Sequence, residues 1–359
     1  MSVFKKLASY ENDIDFVRLW RIGAAISTVL MVVSIGALAI RGLNLGIDFE
    51  GGTSWEVEAP DASVSDTRDA LPASAQGAKI QVIGADVVRV QAEPADEEEV
   101  RAVTESLAEL AGVDRTAVSV STVGPTWGDE ISSKAQRALV WFFLIVAAYM
   151  AIRLEWKMAV GALVAVVHDI VFTVGFYALF QLEVTPATVI AILTIMGYSL
   201  YDTVVVFDKA HDNAARPGTA QRMTYTDLMS LSMNQVLMRS LNATITSLLP
   251  VLSMLVIGSF ILGAVTLEEF AVALAVGLVI GAYSSIFVAA PVVAWLKERE
   301  PHWRSLRNRL ATQEARQSGQ PVPVAAAAPG GTRGTSAAGA PPLSGRAIPP
   351  RPRKKGKRR

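Results

Sequence analysis

Residues 186–207 read PATVIAILTIMGYSLYDTVVVF, an apolar stretch long enough to cross a bilayer as one helix. The stretch contains a single charged residue, Asp202. A carboxylate at membrane depth costs roughly 3 kcal/mol or more, so it seldom occurs there without a partner or a function. This stretch therefore predicts a membrane protein that handles ions or protons.

Five further apolar stretches of similar length accompany it. The chain has 359 residues, of which 51% are hydrophobic and 18% charged, a composition typical of polytopic membrane proteins. The predicted spans are 22–40, 138–154, 158–180, 186–207, 240–262 and 268–296. We number them spans 1 to 6, and expect span 1 to remain as an anchor because it lacks a signal-peptide cleavage site.

The distribution of charge predicts the orientation. The formal net charge is zero, but the basic residues cluster before span 1, between spans 2 and 3, between spans 4 and 5, and after span 6. With six spans these four segments lie on one side, so the positive-inside rule predicts that both termini are cytoplasmic. Segment 42–136, in which acids outnumber Lys and Arg by about three to one, is then extracytoplasmic. We expect a multi-pass protein of the bacterial plasma membrane.

The same reasoning divides the chain into domains. We predict a cytoplasmic N-terminus over 1–21, span 1 over 22–41, an outer domain over 42–136, and the remaining five helices over 137–296. A cytoplasmic loop is expected over 208–239. Residues 297–359 are predicted to form a basic, largely disordered tail, because from residue 311 the composition is rich in Pro, Ala, Gly and Arg. The basic end of this tail is suited to anionic lipid headgroups or ribosomal RNA, and could equally be a solvated tail.

The outer segment has the pattern of a small folded domain. Its predicted elements follow the order β-α-β-β-α-β, which is that of a ferredoxin-like sandwich. The predicted fold is therefore an α-helical polytopic membrane protein with six transmembrane helices and one α+β ferredoxin-like extracytoplasmic domain between spans 1 and 2. We find no nucleophile–base pair in the outer domain and expect no enzymatic activity.

Polar residues near Asp202 suggest how its charge is accommodated. Tyr198 lies one helical turn earlier and could offer its hydroxyl to the carboxylate. Arg239 opens span 5 at a similar depth, and an Asp–Arg pair would lower the cost of both charges. Protonation of Asp202 would release the arginine, so the pair could be either a proton-coupled switch or a static link between two helices.

Span 3 contains His168 and Asp169 near its centre. Adjacent helical residues point about 100° apart, so we expect only one of the two to face the bundle interior. It would be either a member of a proton relay or a helix-packing hydrogen bond. The chain has no cysteine and three scattered histidines, so neither a metal site nor a cofactor is expected.

Two glycine-containing patterns complete the motifs. Small residues recur every fourth position in span 6, at Gly277, Gly281 and Ser285, and predict close helix packing against an unidentified partner helix. After span 1 the chain reads GIDFEGG, residues 46–52. Its members Gly46, Asp48, Gly51 and Gly52 form either a simple turn or a hinge between the outer domain and the bundle.

Together these motifs resemble the SecF family. The resemblance rests on GIDFEGG after span 1, VHD in span 3, GYSLYDTVVVFDK in span 4 and GAYSSIFVAAP in span 6, and it covers about residues 15–300. It implies a resistance-nodulation-division type of subunit that pairs with SecD and uses the proton-motive force to help preproteins leave the SecYEG channel. It also implies that Asp202 and Arg239 belong to a proton path. The chain departs from the family pattern at Tyr201, where many relatives have Asn, and at residues 210–213.

Other functions fit a six-span chain with one outer domain. One alternative is a half-transporter of the same type that exports lipid or drug. Another is a scaffold subunit that moves no protons. The sequence has no GxxxxGK[ST] phosphate-binding loop, which argues against ATP as the direct energy source.

Overall fold

The computed structural model describes residues 14–317 except 61, 84–85, 94–95, 217, 219–220 and 262–263. Within this part, six helices are long and apolar enough to cross a membrane, as the hydropathy pattern predicts. Spans 1 to 6 are Phe16–Arg41, Thr126–Arg153, Trp156–Phe180, Pro186–Ala215, Tyr225–Gly258 and Val265–Lys297. Spans 3, 4 and 6 form the buried centre of the bundle, whereas few residues are buried in the most apolar parts of spans 2 and 5.

Several helices continue beyond their apolar stretches. Span 1 begins at Phe16, six residues before its predicted start, because Phe16 and Trp20 are buried against the bundle. The predicted cytoplasmic loop 208–239 is wrong for most of its length, because span 4 continues to Ala215 and span 5 begins at Tyr225. Hydropathy marks where the helix leaves lipid, but packing decides where it ends.

Asn213 shows why these extensions stay helical. Its side-chain amide donates to Ser232 Oγ at 2.9 Å and to Gln235 Oε1 at 3.0 Å, so it fastens the end of span 4 to the start of span 5. Leu228 and Met229, near the start of span 5, are fully buried.

Span 6 is interrupted in its second half. Its α-helix Val265–Ser284 changes to a π-helical segment, Ser285–Ala289, before α-helix Ala290–Lys297. Pro291 lacks the N–H that would bond to the carbonyl of Phe287, which favours a widened turn here. Such turns often occur at functional sites, and this one begins at Ser285.

The outer domain is a four-stranded antiparallel sheet with helices on one face. Its strands are β2 Gly52–Glu58, β3 Lys79–Ile83, β4 Val87–Ala92 and β5 Ser119–Val123, in the spatial order β3-β4-β2-β5. Trp55, Val88 and Val90 face helices α2 (Val64–Ala70) and α3 (Glu97–Ala111) and form a separate core. The element order is therefore the predicted β-α-β-β-α-β. The opposite sheet face carries polar residues and lies towards the bundle.

Short elements join this domain to the spans. β1, Asn44–Leu45, pairs in parallel with β6, Glu183–Val184, which connects spans 3 and 4. The short helix α1, Ile47–Glu50, leads from β1 into β2. Span 2 starts immediately after β5, since its helix begins at Pro125 rather than near the predicted boundary at 137.

A further helix, α4 (Pro301–Gln317), follows span 6. Its Trp303 is buried and packs edge-on against Tyr225, with 5.0 Å between the ring centroids. The prediction of a disordered tail is thus wrong over 301–317, where the buried side of an amphipathic helix supplies the packing. Residues 1–13 and 318–359, with the rest of the predicted tail and its lipid or ribosome contacts, lie outside the described residues.

Candidate functional site in the membrane bundle

Asp202 lies buried in span 4, and its carboxylate accepts hydrogen bonds from serines of two other spans. Ser240 Oγ of span 5 lies 2.7 Å from Asp202 Oδ1 and 2.8 Å from Oδ2. Ser285 Oγ of span 6 lies 2.7 Å from Oδ2. The side chain is only 6% exposed. Three helices therefore meet at one carboxylate, and its hydrogen-bond donors are hydroxyl groups.

Arg239 does not pair with Asp202, and this prediction is wrong for the conformation described. Its guanidinium is exposed and donates to Tyr201 Oη at 3.3 Å. Neighbouring residues of a helix point about 100° apart, so when one of them faces the bundle interior the other faces away from it. Ser240 occupies the inward position of span 5 and Asp202 that of span 4, so their neighbours Arg239 and Tyr201 meet outside.

Tyr198 also lies apart from the carboxylate. Its side chain is partly buried and packs on a cluster that includes Ile195, Leu274 and Leu278. Among the described residues, the hydrogen-bond donors to Asp202 are Ser240 and Ser285, so the predicted hydroxyl contact of Tyr198 is not formed. An interval of four residues allows such a contact but does not require it.

A second carboxylate, Asp169 of span 3, is bound in the same way. Its Oδ2 accepts from Ser199 Oγ at 2.6 Å and from Ser284 Oγ at 2.8 Å. Its Oδ1 lies 3.2 Å from His168 Nδ1. The expectation that only one of these neighbours faces the interior is wrong, because His168 and Asp169 are both buried and their side chains bend towards each other.

His168 Nε2 is buried and has no hydrogen-bond partner among the described residues. The imidazole lies beside Tyr283, with 6.3 Å between ring centroids. The Tyr283 hydroxyl in turn donates to Gly23 O at 2.8 Å and lies 3.0 Å from Ser27 Oγ, both in span 1. The histidine therefore lies between the Asp169 site and the polar contacts of span 1.

The two carboxylate sites are connected through consecutive residues. Ser284 and Ser285 are neighbours in span 6 and donate to Asp169 and Asp202 respectively. Ser199, which donates to Asp169, lies one helical turn from Asp202 in span 4. A serine hydroxyl can donate to a carboxylate and, after rotation, accept from a carboxylic acid. The arrangement can therefore hold each carboxyl group in either protonation state.

The small residues of span 6 allow this close approach. A methyl group at Gly277 would overlap with Ile195, and one at Gly281 would lie 3.0 Å from Ser199 Cβ. The partner helix of this stripe is therefore span 4 of the same chain, and these positions are not free for another subunit. Ser285, predicted as a packing residue, also binds Asp202.

The segment 46–52 connects three parts of the molecule. Gly46 N donates to Val184 O at 3.0 Å, and the N-terminal part of span 2 packs against α1 through Ser132 Oγ, 3.3 Å from Phe49 O. Gly51 and Gly52 have φ angles of 79° and 131°, which disfavour any side chain. The glycines therefore set the path of a tight turn at the base of the outer domain.

Asp48 in this segment is close to the acid Glu183. Its partial burial, and then the nearby negative charge of Glu183, raise the pKa of the Asp48 carboxyl, while Arg89 opposes the shift. Glu50, by contrast, makes an exposed ion pair with Lys79 at 3.2 Å.

A buried ionic cluster, which no sequence pattern indicated, lies where the outer domain meets the bundle. Arg89 of β4 contacts Glu56 Oε1 of β2 at 2.7 Å, Glu183 Oε2 of β6 at 2.6 Å and Glu269 Oε1 of span 6 at 2.7 Å. Gln91 Nε2 donates to Glu183 Oε1 at 2.6 Å. Burial opposes protonation of Arg89, but the carboxylates Glu183, Glu269 and Glu56 outweigh it and raise the pKa of the guanidinium. We call these five residues the Arg89 cluster.

The serines at the carboxylates and the members of the Arg89 cluster were missed because their signals are ambiguous. Serine is common in membrane helices as a packing residue, and alternating polar residues in a strand normally indicate a solvated sheet face. Among the described residues, no group of three or more His, Asp or Glu is arranged to hold a metal ion.

Two families match the chain. The family described as protein export membrane protein SecD/SecF, C-terminal, matches residues 102–299, and the SecD/SecF GG motif matches residues 36–59. The second match contains the glycine segment after span 1.

Relatives of known name match most of the chain. It is 43% identical over 307 residues to protein translocase subunit SecF of Streptomyces coelicolor, which covers 85% of this chain and 82% of the relative. It is 37% identical over 317 residues to the SecF subunit of Mycobacterium tuberculosis strain H37Rv, covering 85% and 71%.

A solved structure has a similar fold. The crystal structure of SecDF, a translocon-associated membrane protein from Thermus thermophilus, matches with a TM-score of 0.72 and 30% identity. The match covers 81% of this chain but 40% of that one.

Proposed function

Because the chain belongs to the SecF family of protein translocase subunits, we propose that it pairs with SecD and uses the proton-motive force to promote preprotein translocation through SecYEG. The match to 40% of the SecDF chain supports a separate partner that supplies the remaining part. The most apolar parts of spans 2 and 5, in which few residues are buried, offer surface for that partner or for lipid.

The observation that carries the proposal is the environment of Asp202. This carboxylate is buried among three spans, and among the described residues its hydrogen-bond donors are hydroxyl groups and not cations. A negative charge is costly to bury without a cation, and this cost favours exchange of a proton at Asp202. Asp169 is likewise buried among three spans with serine donors, and we include it with His168, which contacts it, in the proposed proton path.

Arg239 fits this path as the partner of a second conformation. Ser240 and Arg239 are neighbours, so a rotation of span 5 by about 100° would exchange the hydroxyl for the guanidinium at Asp202. In the conformation described, Asp202 accepts hydrogen bonds from the hydroxyls of Ser240 and Ser285. An ionised Asp202 would favour the arginine, and this exchange gives proton binding a mechanical consequence.

The outer domain completes the proposal. We assign it a ferredoxin-like fold, supported by its element order and by the strand order β3-β4-β2-β5. With both termini cytoplasmic, which the basic loops favour, this domain faces the emerging preprotein. The turn at Gly51 and Gly52 would then act as a hinge, supported by its position between span 1, span 2 and the sheet.

Asp202→Asn tests the proton-coupled function. In energised vesicles that contain the assembled complex, the variant should retain assembly and lose stimulation of preprotein translocation by the proton gradient. Asp208→Asn is the matched control, since Asp208 lies in the same helix but is half-exposed and contacts Arg153 at 3.7 Å. Full stimulation by Asp202→Asn would reject the proposal and favour a scaffold subunit.

A further inference from the structure

The Arg89 cluster joins the outer domain, through a single side chain, to the β6 connection that follows span 3 and to span 6. Arg89 and Glu56 belong to the outer sheet, whereas Glu183 follows span 3 and Glu269 lies in the first turns of span 6. The side chain of Arg89 is 7% exposed. The guanidinium therefore forms a buried contact between the parts.

The position of this cluster within the sheet explains its burial. Val88 and Val90 of β4 face the helices of the outer domain, so Arg89 and Gln91 point to the opposite face. In a two-layer sandwich that face is normally solvated. Here it is covered by the outer ends of spans 3 and 6, and its polar side chains find their partners there.

The same two spans also hold the buried carboxylates. Span 3 carries Asp169, about 17 Å from its end at Phe180 at the helical rise per residue, and Glu183 of β6 follows three residues later. Span 6 carries Ser284 and Ser285 about 24 Å from Glu269. Span 6 therefore contacts both the carboxylate sites and Arg89, and span 3 is linked to Arg89 through Glu183 of β6.

The balance of charge makes Arg89 indispensable for this contact. Three carboxylates surround one guanidinium, and without it they would repel one another in a site from which water is largely excluded. Gln91 supplies one further donor, to Glu183. The contact between the outer sheet and the spans thus depends on Arg89 more than on any one acid.

We propose that Arg89 is a positioning residue that fixes the outer domain to spans 3 and 6 and transmits their movement to it. The fixing part depends on the Arg89 cluster alone. The transmitting part rests on the proposed function, in which proton exchange at Asp202 moves the spans. Arg89 itself exchanges no proton in this scheme, because its three carboxylates keep it protonated and charged.

The absence of cysteine from the sequence makes the proposal directly testable by distance measurement. Cysteines placed at Ile40, at the end of span 1, and at Arg101, on α3, would carry spin labels, since both side chains are largely exposed. The full chain, assembled with its partner subunit in lipid nanodiscs, should give one narrow distance distribution. Arg89→Gln should broaden or displace it.

Matched variants separate this effect from unfolding. Arg115→Gln removes an equal charge from the same domain at an exposed ion pair with Glu105, and should leave the distribution unchanged. A second label pair within the outer domain, at Glu58 and Arg101, should report the same distance with and without Arg89→Gln. If Arg89→Gln does not assemble, Glu269→Gln removes the contact to span 6 alone and should broaden the distribution less.

Transmission is tested by adding Asp202→Asn. This variant should displace the distance between Ile40 and Arg101, and the displacement should be lost when Arg89→Gln is also present. A distribution unchanged by Arg89→Gln overturns the fixing role, and a displacement that persists without Arg89 overturns transmission. Because the readout is distance rather than export, either result is distinguishable from a failure of Asp202 in the translocation assay.

Discussion

Ser285 Oγ lies 2.7 Å from Asp202 Oδ2, across the interface between spans 6 and 4. The serine begins the π-helical segment of span 6, so the widened turn brings this hydroxyl to the carboxylate. Ser284, the last residue of the preceding α-helix, binds Asp169 instead. The helical geometry changes between Ser284 and Ser285, and these two consecutive serines bind buried acids on different spans.

This contact predicts the effect of Ser285→Ala. The variant removes one of the two serines that donate to a buried carboxyl group, and hydrogen bonds to charged groups contribute roughly 2 kcal/mol. We expect lower thermal stability of the purified protein and weaker proton-dependent stimulation of translocation. Ser253→Ala is the control, because Ser253 is exposed and its hydroxyl donates within its own helix, to Leu249 O at 2.9 Å. Equal behaviour of the two variants would contradict a role for Ser285.

The close contact between spans 4 and 6 predicts a packing effect. Gly277→Ala would place a methyl group inside the volume of Ile195, and overpacking of this kind costs about 2 kcal/mol. Gly197→Ala provides the control within span 4, since an added methyl group meets no atom within 4 Å there. Melting temperatures in detergent should fall for Gly277→Ala and stay equal or rise for Gly197→Ala. A fall for both would mean that helix flexibility rather than packing matters.

The contact between Arg239 and Tyr201 predicts a difference between two variants. Tyr201→Phe removes a long, exposed hydrogen bond of 3.3 Å and should change stability by less than about 1 kcal/mol. Arg239→Gln removes the cation that is proposed to reach Asp202 after rotation of span 5, so it should abolish proton-dependent stimulation while Tyr201→Phe retains it. Translocation assays in vesicles would compare them. If both variants lost proton-dependent stimulation, the function would depend on the observed contact between Arg239 and Tyr201 instead.

The sequence predicts the features of the fold and site that depend on local pattern, and not those that depend on tertiary contacts. The six spans and the burial of Asp202 follow from local hydropathy, and local sequence pattern indicated the order of elements in the outer domain. The partner of Asp202 could not be predicted from the sequence. Ser240 and Arg239 are consecutive, and a rotation of span 5 equivalent to one residue decides which of them faces inward. Arg89 was missed because nothing local indicates that its sheet face meets the bundle.

Asp48 predicts a pH-dependent stability of the junction below the outer domain. Its pKa is raised by burial and by Glu183, so the ionised form destabilises the folded state. The favourable contribution of Asp48 is complete below the unfolded value of 3.8 and is lost as the pH rises through the higher folded value. Asp48→Asn should therefore be more stable than the parent at neutral pH, and the difference should shrink towards pH 4. Thermal unfolding at several pH values measures it.

Asp114→Asn should behave in the opposite way in the same experiment. The hydrogen bonds from Thr116 N, at 2.9 Å, and Thr116 Oγ1, at 2.7 Å, lower the pKa of Asp114. Its contribution to stability is therefore present above the unfolded pKa and is lost as the pH falls through the lower folded value. Asp114→Asn should be less stable than the parent at neutral pH and approach it in acid. If Asp48→Asn follows this course too, the acids around Asp48 do not destabilise it, and its carboxylate instead makes a favourable contact in the turn that Gly51 and Gly52 form.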